Sequence, residues 1–370
     1  MEEVQSLVRL VIWSGFGLGI LFGAVASKTN FCTMGAISDV INMGHWGRMR
    51  AWLLAIAVAM LGTALLAYSG VMDMTQTIYT APRLPWMAHL VGGLTFGIGM
   101  TLASGCGNKT LLRAGGGNLK ALIVFFLMAY GALLTIRGVL APLRTFLAQG
   151  DVFVLTLSTH QTVPHLMSSA GLGLPMAQLL CGALLAVGIF LFVFGSKDFL
   201  EEKDNVMAGI VLGLVVVAGW YVTGHLAVAE NPDTLETLIF GTNSKQAESM
   251  SFVGPIAFIF DLLQRWTDSS VVMTWGIATA LGVFCGALLY ALSTRTFRWE
   301  GFGTPVDLVR HILGALLMGF GGITAIGCTI GQGLTGVSTL ALGSFITLFA
   351  IVAGCALTMK YEYWRMMQEA

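Results

Sequence analysis

The residues of this 370-residue chain best suited to chemistry are cysteines and the polar side chains beside them. Three of the six cysteines share a setting: Cys32, Cys106 and Cys328 each follow a glycine-rich apolar run. Asn30 and Thr33 flank the first, Asn108 and Lys109 follow the second, and Thr329 and Gln332 follow the third. A thiol combines a polarizable sulfur with a weak S–H donor, so it meets a soft, sulfur-bearing ligand better than a hydroxyl does. Lys109 attracts an anion, and helices starting just after Gly107 and near Gly331 would turn free backbone N–H groups toward it. Together these residues point to a small anionic sulfur compound bound by Cys32, Cys106, Cys328, Asn30, Asn108, Lys109, Thr329 and Gln332.

Other chemistries fit less well. There is no CxxC pair, and the separations between the three cysteines match neither a zinc knuckle nor an iron–sulfur run. Disulfide stapling is not expected of cysteines at membrane depth. His160 and His165, separated by Pro164, do not share a helical face, so a metal site is not expected. Gly115–Gly117 lacks the Gly-Lys-Ser/Thr of a phosphate loop and reads as a flexible turn, leaving no ATPase motor and no cofactor motif. Cys181, Cys285 and Cys355 sit inside continuous apolar runs, where cysteine behaves as a small hydrophobe. The three polar-flanked thiols leave two chemistries open: non-covalent passage of a sulfur anion, or a membrane sulfurtransferase that forms a persulfide.

The elements that must position these residues follow from composition. Hydrophobic residues make up 56% of the chain and charged residues only 10%, against roughly a quarter charged in a soluble domain. Mean hydropathy is +0.81, and 19 basic residues balance 19 acidic ones, which excludes nucleic acid as the main partner and implies contact with membrane lipids. A spanning helix needs about 20 apolar residues. Nine stretches qualify, near 8–27, 51–70, 87–104, 119–140, 176–195, 206–228, 271–293, 308–327 and 338–359. Shorter apolar pieces at about 31–42, 141–157 and 250–264 suit re-entrant or interfacial helices. The expected fold is therefore an all-α integral membrane protein. It is a single domain over 1–370, with no linker or hydrophilic domain between stretches. Glu2 and Glu3 precede the first stretch in place of a basic region, and no cleavage pattern follows it, so that stretch is expected to stay. If residues 43–50 are cytoplasmic, flanking lysines and arginines divide twelve inside to six outside, which places the N-terminus outside and the C-terminus in the cytoplasm.

The chain also matches itself. Residues 92–106 and 314–328 agree at seven of fifteen positions without a gap: Gly92/Gly314, Leu94/Leu316, Gly97/Gly319, Gly99/Gly321, Ala103/Ala325, Gly105/Gly327 and Cys106/Cys328. By the crossing count the two copies run in opposite directions. That is the inverted-repeat plan of many transporters, with halves here of roughly 1–195 and 206–370 and a site where helices break. Residues 15–35, from Gly15 to Cys32 and Gly35, repeat the pattern without a strict match. The 47 glycines fit such close-packed, broken helices.

At three blocks the chain resembles the YeeE/YedE family of bacterial membrane proteins, associated with uptake of thiosulfate or related sulfur compounds. The blocks are Asn30–Asp39, Ala103–Asn108 followed by Arg113–Gly115, and Ala325–Gly333. The resemblance covers most of the chain. It implies an hourglass of inverted repeats with short re-entrant helices in the inner membrane, in which three thiols, here Cys32, Cys106 and Cys328, hand thiosulfate inward through S–H···S contacts. It also implies a cytosolic sulfur-carrier protein that receives the cargo. Some relatives are linked to selenium compounds, which stay open as an alternative substrate. Lys109 and Leu112 depart from the pattern, where relatives often have a more varied residue and an aromatic.

Overall fold

The computed structural model describes residues 2–168, 173–230 and 236–369. Fifteen α-helices account for most of them. They are α1 (Glu2–Lys28), α2 (Thr33–Ser38), α3 (Gly47–Tyr68), α4 (Trp86–Leu102), α5 (Gly107–Gly115), α6 (Leu119–Ile136), α7 (Ala141–Gln149) and α8 (Val163–Ser168), then α9 (Leu174–Phe194), α10 (Lys197–Glu201), α11 (Lys203–Tyr221), α12 (Val253–Gln264), α13 (Trp275–Ser293), α14 (Pro305–Thr324) and α15 (Leu342–Glu369). Among the described residues nine helical segments are long and apolar enough to cross a membrane, and each overlaps one of the nine stretches read from hydropathy. The short apolar pieces also fold as expected: α2 with the π-helical residues Asp39–Met43, then α7 and α12. The chain is an all-α, multi-pass membrane protein. Among the described residues the sheet consists of two short antiparallel pairs, Arg83–Leu84 with Leu155–Thr156 and Val228–Glu230 with Thr237–Ile239.

Between lipid-like helix surfaces there is little hydrophobic drive, so packing depends on close backbone approach. The pairs α1 with α13, α4 with α14 and α15, α6 with α14, and α3 with α11 and α9 form the body. Glycine makes the α4–α14 crossing possible. A Cβ on Gly99 would stand 2.7 Å from the Gly314 carbonyl oxygen, and one on Gly92 would stand 2.8 Å from the Gly321 oxygen. Gly92 aligns with Gly314 and Gly99 with Gly321 in the self-match, so each glycine meets the counterpart of the other.

The connecting segments gather on two opposite faces. On one, Lys28 pairs with Asp204 at 3.0 Å, Lys120 with Asp307 at 2.6 Å, and the Leu119 amide donates to the Glu300 carbonyl at 2.9 Å. On the other, Ala247 N–H donates to Gln76 O at 2.9 Å and Val163 N–H to Leu340 O at 3.1 Å. Gly115–Gly117, expected as a flexible turn, is a packed corner: the Arg298 amide donates to Gly116 O at 3.1 Å, and Gly117 takes φ +94° against the Arg298 carbonyl.

Candidate functional site: three cysteines at matching helix breaks

The three polar-flanked cysteines occupy one backbone motif used three times. At the end of α1, Asn30 N–H donates to Ser27 O and Phe31 N–H to Ala26 O. At the end of α4, Ser104 N–H donates to Thr101 O and Gly105 N–H to Met100 O, and at the end of α14 Ile326 N–H donates to Ile323 O and Gly327 N–H to Gly322 O. These paired bonds close each helix in a Schellman turn, whose pivot must be left-handed. The pivots are Asn30 (φ 52°), Ser104 (φ 55°) and Ile326 (φ 59°), each two residues before its cysteine. The third, non-matching element read from sequence thus has the same local geometry as the two copies.

Each cysteine then starts the next helical segment. Cys32 is the N-cap of α2, and its sulfur accepts from the Gly35 amide at 3.5 Å. Cys106 is the N-cap of α5, and its carbonyl accepts from the Thr110 amide at 2.9 Å. Cys328 leads into the π-helical residues Gly331–Gly336, with Gly331 N–H on its sulfur at 3.5 Å. All three are buried, Cys106 and Cys328 completely.

Tertiary packing brings the breaks together. The Cys32 and Cys106 thiols are side-chain neighbours, and the Thr329 hydroxyl lies beside the Cys106 thiol. Thr329 thereby connects the Cys106 break to the one headed by Cys328. Lys109 Nζ donates to Asn30 Oδ1 at 3.2 Å. Gln332 Nε2 donates to Ala325 O at 2.6 Å, while its Oε1 is buried without a partner. Asn108 is 1% exposed, yet neither its amide nitrogen nor its oxygen has a partner, and the Thr329 hydroxyl has none either. Burying polar atoms unsatisfied carries a penalty of about 1–3 kcal/mol per group. A cluster of them marks a place where another polar species belongs.

Two cavities approach this cluster from opposite faces. A 390 Å³ cavity is lined by Asn30, Lys109, Arg113, Asn118, Arg298 and Glu300, so it reaches the Cys32–Cys106 breaks. A 400 Å³ cavity on the other face is lined by Tyr79, Arg144, Glu248, Ser251, Ile326 and Gly327, the last adjacent to Cys328. All eight residues singled out in the sequence therefore lie at or next to the three breaks. Sequence reasoning missed Tyr79 and Glu248 in the second cavity, and Trp52, whose buried indole N–H has no partner and whose ring packs on Gly333. Nothing near them in sequence marks them, because only the packing of α3 and the loops against the breaks puts them there.

The other cysteines are placed differently. Cys355 is buried between α15 and α4 and accepts from Thr101 Oγ1 at 3.3 Å. Cys181 and Cys285 are half-buried, and Cys181 donates to the Met167 sulfur at 3.5 Å. The acidic residues near the first face are engaged: Asp39 with Arg48, Asp307 with Lys120, and Glu300 with Asn118 at 2.5 Å. His160 lies outside the helix that carries His165, and the two ring centroids are 5.0 Å from each other. Their Nδ1 atoms are taken up by Thr80 O and Thr162 Oγ1, and among the described residues no group of three metal-ligating side chains exists.

The chain is similar along its length to known proteins. It is 28% identical over 353 residues to the thiosulfate transporter TsuA of Spirochaeta thermophila, covering 93% of this chain and 97% of that protein. It is 27% identical over 371 residues to the thiosulfate transporter TsuA of Escherichia coli K12, covering 97% of each. The family model described as sulphur transport matches residues 28–357, which include all three helix breaks, and the chain belongs to that family.

Proposed function

We propose that the protein carries thiosulfate across the bacterial inner membrane into the cytoplasm, passing it along Cys328, Cys106 and Cys32. One observation supports this above the others: the neighbouring thiols of Cys32 and Cys106, with Thr329 beside them, stand among buried polar atoms without partners, between cavities on opposite faces. A thiosulfate ion has a soft terminal sulfur for the thiols and oxygens for amide and hydroxyl donors. In this reading Cys328 takes the terminal sulfur from the outer cavity, Cys106 and Cys32 take it in turn, and Asn108, Thr329 and Gln332 hold the oxygens. Asn30 and Lys109 stand at the inner exit. S–H···S contacts exchange without a covalent step, so the protein is a transporter rather than a sulfurtransferase, as are its named relatives.

The orientation that suits this path has the N-terminus outside and the C-terminus in the cytoplasm, in keeping with the distribution of basic residues. Two inverted halves, roughly 1–195 and 206–370, would relate the entry and exit sides. A cytosolic sulfur-carrier protein would collect the ion at the inner cavity. The deciding experiment is uptake of radiolabelled thiosulfate by cells lacking other routes. Single Cys→Ala changes at 32, 106 and 328 should each abolish uptake with the protein still present in the membrane. Intact uptake in all three variants would defeat the thiol path.

A further inference from the structure

Among the described residues Glu248 is the one carboxyl lining the cavity on the Cys328 side. It lies in the loop before α12, and its backbone is pinned by Thr223, whose hydroxyl donates to Glu248 O at 2.5 Å and accepts from Glu248 N–H at 3.2 Å. Ser244 donates twice to Oε1, from its amide at 3.0 Å and from its hydroxyl. Oε2 is directed toward α13, 4.0 Å from where a Cβ on Gly276 would stand. Among the described residues no basic side chain pairs with this carboxyl. The charged and titratable groups around it are few. Tyr79 lines the same cavity, as does Arg144 of α7, whose Nε is buried and unpartnered. The walls from α13 and α14 contribute Gly276, Gly322 and Ile323, none of them charged.

An unpaired carboxylate is a poor neighbour for an incoming dianion, since like charges in a partly dry cavity repel strongly. A neutral carboxyl removes that repulsion, and its O–H on Oε2 becomes a donor to the anion's oxygens. Burial pushes the Glu248 carboxyl up from the usual carboxylate range, opposed by the two Ser244 donors. Binding of the anion and binding of the proton must then strengthen each other by the same factor. Building on the thiosulfate assignment, we propose that Glu248 takes up a proton as the anion enters the Cys328-side cavity and that anion and proton are carried together. The proton comes from the medium on that side and leaves with the anion on the other, so no redox partner is involved.

The test uses the full chain reconstituted in liposomes that hold a pH-sensitive dye, with radiolabelled thiosulfate supplied outside. The expected result is thiosulfate-dependent acidification of the interior. Uptake should fall about tenfold per pH unit once the external pH passes the Glu248 titration. Glu248→Gln should abolish the acidification and flatten the pH profile. Ser244→Ala removes one donor to the carboxylate, so it should keep the acidification and move the pH midpoint upward, which guards against a Glu248 variant that merely misfolds. Thiosulfate accumulation without acidification, or a pH slope that survives in Glu248→Gln, overturns the proposal alone. Failure of the unaltered protein to accumulate thiosulfate overturns the substrate assignment and the proposal with it.

Discussion

Lys109 Nζ donates to Asn30 Oδ1 at 3.2 Å, and this bond ties the break that carries Cys106 to the break that carries Cys32. Asn30 is the left-handed pivot that ends α1, and Lys109 lies in the first turn of α5, so one hydrogen bond spans two elements 79 residues apart in sequence. Both residues also line the cavity on that face. On the proposed path an anion handed on by Cys32 and Cys106 would pass this bond as it leaves and compete with Asn30 for the ammonium.

Lys109→Met keeps the length and apolar body of the side chain while removing its donor and charge. At this partly exposed site the bond contributes about 1 kcal/mol. Uptake of thiosulfate by Lys109→Met should fall well below that of the unaltered protein, and Asn30→Ala should reduce it less, since the cation stays. Combining the two should cost no more than Lys109→Met alone, because both changes break one contact. Strictly additive losses in initial uptake rate would show that the two residues act independently.

A second consequence concerns the α4–α14 crossing. A Cβ on Gly99 would stand 2.7 Å from Gly314 O and 2.8 Å from Met318 N, both backbone atoms that cannot turn aside. Gly99→Leu must push the helices apart, at a cost of about 3 kcal/mol, and would separate the Cys106 break from the Cys328 break. Gly17 on α1 has nothing within 4 Å of its added Cβ, so Gly17→Ala should be tolerated and gain up to about 1 kcal/mol of helix propensity. Thermal unfolding of the two purified variants in one detergent checks this: Gly99→Leu should melt well below the unaltered protein and Gly17→Ala at or above it.

Much of this was legible in the sequence for a physical reason. A membrane makes hydropathy nearly sufficient to place spans, so the nine stretches and the three short pieces emerge as helices where expected. The Gly-Cys ends were legible because 92–106 and 314–328 preserve both the seam glycines and the cysteine. The pivots were not. Glycine is the expected left-handed residue, yet at these breaks it sits one position later, at Gly105 and Gly327, while Ser104 and Ile326 turn the chain. No local preference announces an isoleucine there. Tyr79, Glu248 and Trp52 were invisible for another reason: each is ordinary in its own segment and gains meaning only when distant elements fold onto the breaks.

Ile326 offers the sharpest test of whether the matching turn is a requirement of the fold. A β-branched side chain at φ 59° is strained, by about 1–2 kcal/mol relative to helical backbone. Asparagine tolerates this region, as Asn30 does at the corresponding place before Cys32. Ile326→Asn should relieve the strain without adding the unfolded-state freedom that glycine would bring. Because Ile326 is 41% exposed, little packing is lost in exchange. The variant should therefore unfold at the same temperature as the unaltered protein or a few degrees above it. Ile323→Asn, one turn earlier on helical backbone, should unfold at a lower temperature. If the order is reversed, the left-handed pivot is not what Ile326 supplies, and its side chain against the cavity wall matters more than its backbone.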